Sequence, residues 1–324
     1  VRGQRLSWAV PAMKVLLHYD AGPGLAAQLA KLPGIDLTIC PEADTALYAR
    51  LLPEIEVIWH VLRPITAADI AAAPKLRLIQ KIGVGVNTID LEAARARGIA
   101  VCNLPGTNSR AVAEMTLLLM LGALRHIAYF DAETRAGRGW SQPPALQDGL
   151  FELGGRKVGL VGYGAVPKLL APVLQAMDCK ILYTARAPKP EALGTFLPFE
   201  ALLAEADVVS LHIPETPETR GLLNGAAIAR MKPGAVLVNT ARGGLVDQAA
   251  LAAALRSGHL AAAGLDVFAA EPLNPADPLL GLPNVVLAPH VAWLSTGTFA
   301  RSFSIAAENC RRLASGEALL HRVA

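Results

Sequence analysis

Short apolar runs alternate with longer Ala/Leu-rich stretches over the first hundred residues of the chain. The runs at 13–17, 36–39, 55–59 and 76–82 read as buried strands, and 25–31 and 66–73 between them read as helices. That alternation predicts βαβ units and a parallel sheet. Near Val101 the pattern changes to a turn-rich connection, Asn103-Leu-Pro-Gly-Thr-Asn-Ser109. A long helix is predicted from about Arg110 to Ala128, apolar on nearly every face and therefore expected to be buried, in part between two copies of the chain. Residues 137–155 are rich in Gly and Pro and read as a loop. A second alternating series follows, with strands predicted at 157–161, 180–184, 207–211, 235–239, 262–266 and 284–287. Six strands suffice for two mononucleotide-binding halves. The predicted fold class is α/β: two Rossmann-like, doubly wound parallel-sheet domains with a cleft between them.

Composition narrows the function classes. With 324 residues, 53% hydrophobic and 18% charged, the chain can bury two cores and is not a disordered polymer. A net charge of +3 is too mild for a protein that holds nucleic acid by charge, yet it suits small anionic ligands. The longest apolar run, 115–124, falls short of the ~18 residues that cross a bilayer, so no membrane partner is expected. Cys40, Cys102, Cys179 and Cys310 are far apart and form no CxxC pair, so neither a metal site nor a disulfide framework is expected. A reducing compartment fits that usage best. Residues 1–12 lack an apolar stretch of signal-peptide length and read as an extension, with folded chain from Met13 and a cytoplasmic location expected.

The most informative stretch is Val158-Gly-Leu-Val-Gly162-Tyr-Gly164-Ala-Val-Pro167. It follows a strand and opens a helix, the context in which a glycine-rich turn binds a dinucleotide. Gly162 permits the tight turn, and Gly164 lets the backbone approach a pyrophosphate held by free N–H groups at the helix start. Pro167 replaces the usual third glycine; proline is tolerated in a first helical turn. The acidic residue that selects NAD is absent from the next strand end, Ile181-Leu-Tyr-Thr-Ala-Arg186, and there is no carboxylate before Glu191. A guanidinium at Arg186 suits a 2′-phosphate, so NADPH is expected ahead of NADH.

Three more strand ends carry polar groups: Asn239-Thr-Ala-Arg242-Gly-Gly-Leu-Val-Asp247, Asp266 with Glu271-Pro272, and Pro289-His290-Val-Ala-Trp293. Ligands of open α/β sheets bind beyond the carboxyl ends of strands. His18, His60 and His212 also stand near strand ends, so composition alone does not select His290.

With these pieces, the chain resembles the D-isomer-specific 2-hydroxyacid dehydrogenase family. Gly83-Val-Gly85-Val-Asn-Thr-Ile-Asp90, Pro105-Gly106-Thr107, Ala111-Val-Ala-Glu114 and Ser210-Leu-His212-Ile-Pro214 match as well, in the family's order. The resemblance implies a discontinuous substrate-binding domain, 1–103 with 290–324, around a dinucleotide-binding domain, 104–289. It implies that Arg242, Glu271 and His290 are catalytic. It also implies that the backbone at Val84 and Gly85, with Arg242, His290 and Trp293, holds substrate. The implied dinucleotide contacts are Gly162, Tyr163, Gly164, Ala165, Val166, Arg186, His212, Ile213, Pro214, Thr240 and Asp266. The sequence ends soon after the catalytic part, which argues against the phosphoglycerate dehydrogenase members that carry a regulatory domain.

The chemistry suits these residue types. An imidazole titrates near neutral pH and can give a proton to a carbonyl oxygen. A carboxylate fixes its tautomer, and a guanidinium matches a carboxylate and a developing oxyanion. The expected function is reduction of a small 2-keto acid, glyoxylate or hydroxypyruvate first, by NAD(P)H in a homodimer. A dehydrogenase of another small anion and a dinucleotide-sensing, corepressor-like binding protein are the alternatives.

Overall fold

A computed structural model describes residues 12–324; the expected extension lies almost wholly outside them. The chain divides into two compact units, one running to Asn108 and resuming at Ser295–Ala324, the other Ser109–Leu294. Each division falls five residues beyond the expected boundary, at 108 rather than 103 and 294 rather than 289, which puts His290 and Trp293 in the second unit.

The first unit holds a five-stranded parallel sheet: β1 Met13–His18, β2 Ile35–Cys40, β3 Val57–His60, β4 Leu78–Lys81 and β5 Ala100–Cys102, in the order β2-β1-β3-β4-β5. β3 and β4 are buried at every position, as continuous apolar strands of a helix-covered parallel sheet must be. Thr66 and Asp69 form a capping box that starts the helix Ala67–Ala72. The sequence pattern had not shown β5, whose three residues are too few for a periodic signal.

The second unit holds seven parallel strands: β6 Lys157–Val161, β7 Lys180–Thr184, β8 Thr195–Phe196, β9 Val208–Leu211, β10 Ala235–Asn239, β11 Leu260–Leu265 and β12 Val285–Leu287. Their order is β12-β11-β10-β9-β6-β7-β8. The chain reverses direction across the sheet between β6 and β9, and the crevice at such a switch point is where doubly wound sheets take ligands.

The long helix departs from expectation. It spans Ser109–Leu124 and then breaks, with a second helix, Ile127–Arg135, bent from it by 67°. The cause is remote in sequence: the Leu124 carbonyl accepts the Phe151 N–H at 3.0 Å, while His126 turns left-handed at φ +49°. No single helix among the described residues is long and apolar enough to cross a membrane. All four cysteines are free and buried.

Candidate active site

Two strand-end loops at the switch point form the first part of the site. Gly162, just past β6, adopts φ +98°, and a β-carbon there would lie 2.7 Å from the His212 carbonyl oxygen, just past β9. Only glycine lets the two loops approach this closely. Gly164 has open space where a β-carbon would stand, and it precedes the helix Ala165–Ala176, whose first turn receives no side-chain cap. Free N–H groups facing open space fit a pyrophosphate. Pro167 is buried in that first turn, where its missing N–H costs no helical bond. His212 accepts from or donates to the Ser210 hydroxyl at 2.9 Å, and burial pushes its imidazole down to about 3, so the ring is neutral. Arg186, beyond β7, is exposed, and the Lys189 N–H nearby is held by the Tyr183 hydroxyl at 2.9 Å.

The second part lies beyond β10, β11 and β12. The His290 Nδ1 lies 2.6 Å from Glu271 Oε2, and Glu271 Oε1 accepts the Phe268 N–H at 3.0 Å. Burial pushes the Glu271 carboxyl up, but the His290 bond, the Phe268 N–H and the charges of His290 and Arg242 together hold it below the usual carboxylate range. An ionised Glu271 only accepts, so Nδ1 carries the proton and Nε2 is the ring atom left to meet a ligand. About a third of each side chain of the pair is exposed. Arg242 donates through Nη1 to the Ala241 carbonyl at 2.6 Å. Its loop lies directly on the neighbouring one: a β-carbon at Gly243 would fall on the Phe268 carbonyl, in the segment that leads to Glu271. Gln248 Oε1 braces that segment by accepting the Ala269 N–H at 3.0 Å.

The structure thus brings Arg242, Glu271 and His290 to neighbouring strand ends of one unit, with Gly162, Gly164, Ala165, Val166, Arg186, His212, Ile213 and Pro214 around the switch point. Three expected dinucleotide contacts have their side chains spent elsewhere. Tyr163 is 4% exposed and its hydroxyl accepts the Leu193 N–H at 2.8 Å. Thr240 hydrogen-bonds the Thr116 hydroxyl at 2.8 Å. Asp266 is 1% exposed and accepts two backbone N–H groups. Trp293 donates its indole N–H to the His290 carbonyl at 2.9 Å and so braces that turn. In the first unit, the Gly83 and Val84 carbonyls accept from Leu104 N–H and Asn103 Nδ2, and among the described residues no acceptor takes the Val84 or Gly85 N–H. Asn239 and Gln248 had not been singled out. Asn239 closes an apolar strand with a polar residue, which was its one available signal.

Residues 117–292 match the model of the D-isomer specific 2-hydroxyacid dehydrogenase NAD-binding domain, more than half of the chain. The chain belongs to the D-isomer specific 2-hydroxyacid dehydrogenase family. Its second unit is the family's nicotinamide dinucleotide-binding domain, in an oxidoreductase family. A D-3-phosphoglycerate dehydrogenase of Mycobacterium leprae is 41% identical over 82% of the chain and 50% of its own length, so the chain spans about half of that relative. A glyoxylate reductase of Aeropyrum pernix is also 41% identical, over 82% of the chain and 81% of its own length. The chain is thus equally similar to dehydrogenases of this family named for either substrate. Among solved structures, an NADPH-dependent glyoxylate/hydroxypyruvate reductase from Sinorhizobium meliloti, in complex with NADP and malonate, has 31% identity and a TM-score of 0.80 over 97% of both chains.

Proposed function

We propose that the protein reduces a small 2-keto acid, glyoxylate or hydroxypyruvate, to the D-2-hydroxy acid, with NADPH as the preferred cofactor. The observation that carries this reading is the His290–Glu271 pair, 2.6 Å apart and part-exposed at the carboxyl edge of a dinucleotide-binding sheet. The glyoxylate reductase relative, matched over most of its own length, supports the substrate class. When bound, the nicotinamide supplies the hydride that reduces the carbonyl carbon. Its pyrophosphate would rest on the uncapped turn after Gly164, and Arg186 would meet the 2′-phosphate.

The chain's own part is charge and proton handling. Arg242 keeps most of its planar fork beyond the single bond to Ala241, and it binds the substrate carboxylate and steadies the carbonyl oxygen as negative charge grows there. His290 in its imidazolium form gives its Nε2 proton to that oxygen as the carbon accepts hydride, leaving a neutral ring. Glu271 holds Nδ1–H throughout and stabilises the imidazolium before transfer. The Val84 and Gly85 N–H groups supply further donors to the carboxylate.

Loss of NADPH absorbance with glyoxylate, hydroxypyruvate and pyruvate, beside NAD⁺ or NADP⁺ reduction with 3-phosphoglycerate, tests the reading. Turnover of the two-carbon or hydroxylated keto acids with the highest kcat/KM is expected. Cofactor binding with no turnover of any member of the panel overturns it in favour of a dinucleotide sensor, and preference for 3-phosphoglycerate overturns the substrate.

A further inference from the structure

Asn239 and Asp266 stand at the carboxyl ends of β10 and β11, and each is 1% exposed. Neither side chain is open to a ligand, and both are fully occupied. Asn239 spends its amide on the Arg242 loop: Oδ1 accepts the Ala241 N–H at 3.0 Å, and Nδ2 donates to the Arg242 carbonyl at 2.9 Å. Asp266 does the same for the His290 loop. Its carboxylate accepts the Val291 N–H at 2.8 Å and the Ala292 N–H at 2.9 Å, and its carbonyl accepts the His290 N–H at 2.7 Å. The two residues are themselves joined, since the Asp266 N–H donates to the Asn239 carbonyl at 2.9 Å.

His290 needs such support. It sits at φ +56°, a left-handed conformation that a β-carbon disfavours and that persists only where the surroundings hold it. Hydrogen bonds on both sides of the residue set the direction of its Cα–Cβ bond. The 2.6 Å contact with Glu271 depends on that direction. The ring's position is thus set from the backbone side by one residue and from the ring side by another.

We propose that Asn239 and Asp266 are positioning residues, Asn239 for Arg242 and Asp266 for His290, acting through backbone hydrogen bonds without touching the reacting atoms. This rests on the roles given above to Arg242 and His290, and it replaces the expected dinucleotide contact of Asp266. Adjacent strands of one ladder carry the two residues, so they fix the two side chains relative to each other as well as to the sheet.

Asp266→Asn places an NH₂ group against a backbone N–H that now meets an oxygen. Its kcat at saturating keto acid and NADPH should fall roughly 10²-fold, the scale of a displaced general acid. NADPH Kd, measured by fluorescence titration, should stay within about threefold. Added to His290→Gln, the same change should cost less than about threefold more, because both act on one group. Asn239→Asp turns the donor facing the Arg242 carbonyl into an acceptor, and it should raise keto-acid KM more than it lowers kcat. One readout needs no turnover: the hydrogen-bonded Nδ1–H of His290 should give a downfield proton resonance in the cofactor-free protein and lose it in Asp266→Asn. If Asp266→Asn does not fold, Asp266→Ser keeps one acceptor and carries the same measurements. NADPH Kd weakened about tenfold or more, with the His290 resonance intact, would make Asp266 a cofactor contact and overturn the proposal. A wild-type protein that turns over no keto acid sinks the functional reading alone, and the response of the resonance to Asp266→Asn then decides the positioning role by itself.

Discussion

Glu271 acts on the reaction only through the ring it holds, and that makes its removal informative. The residue is ionised at neutral pH, because its hydrogen bonds and neighbouring charges outweigh burial. Glu271→Gln keeps an acceptor for Nδ1–H but withdraws the charge that favours the imidazolium. The protonated form then persists only to lower pH, so the pH limb of keto-acid reduction should shift downward. The loss of rate should be smaller below that limb than at pH 7, and a pH–rate profile with an unmoved limb would count against the pair. Arg186 is the residue on which cofactor choice turns. Arg186→Asp removes a charge-assisted contact and adds repulsion, so the NADPH KM should rise by roughly 10²-fold while that for NADH stays level or falls. An unchanged ratio of the two would leave Arg186 an ordinary surface residue.

At the scale of elements, closeness between loops does work that no side chain can. Gly243 lies against the Phe268 carbonyl, so Gly243→Ala must push the Arg242 loop from the segment that carries Glu271. Overpacking of this kind costs about 1 to 3 kcal/mol. We expect a fall of roughly tenfold or more in kcat/KM, with NADPH Kd near wild type; unaltered kinetics would show that the loop spacing is not critical. Buried parallel strands read as continuous apolar runs, and for that reason 157–161, 180–184 and 235–239 were legible to the residue. The bend after Leu124 was not, because Ala-Leu-Arg-His-Ile continues a helical pattern and the break depends on Phe151, far along the chain. The side chains of Tyr163, Thr240 and Asp266 escaped for a related reason. A motif places a residue at a strand end, but whether it turns to the ligand or into the core depends on partners such as Leu193, Thr116 and Val291.

Across the whole molecule, burial of titratable groups ties stability to pH. In the first unit, burial pushes the His60 imidazole down to about 3, with Lys81 adding to the effect, and its ring accepts no proton in the fold near neutral pH. The unfolded chain protonates the same ring near 6.5, so acid favours unfolding. Stability is complete above about pH 6.5 and falls as pH drops toward 3, by up to about 1.4 kcal/mol per unit. The thermal midpoint of His60→Gln should therefore depend less on pH between about 6 and 4 than the wild-type midpoint; equal slopes would contradict this. Exposed apolar side chains point to self-association. Leu118 and Ile127 on the two bent helices are 60% and 53% exposed, and Trp140 in the loop beyond them is 97% exposed. A two-fold dimer through this region is expected, and sedimentation at low micromolar concentration giving a monomer would refute it. The central claim is that His290 delivers the proton in a 2-keto-acid reduction, and kcat for glyoxylate with NADPH in the wild type beside His290→Gln tests it most directly. A loss of about 10² to 10⁴ with NADPH Kd unchanged is predicted; wild-type turnover in the variant would contradict the account.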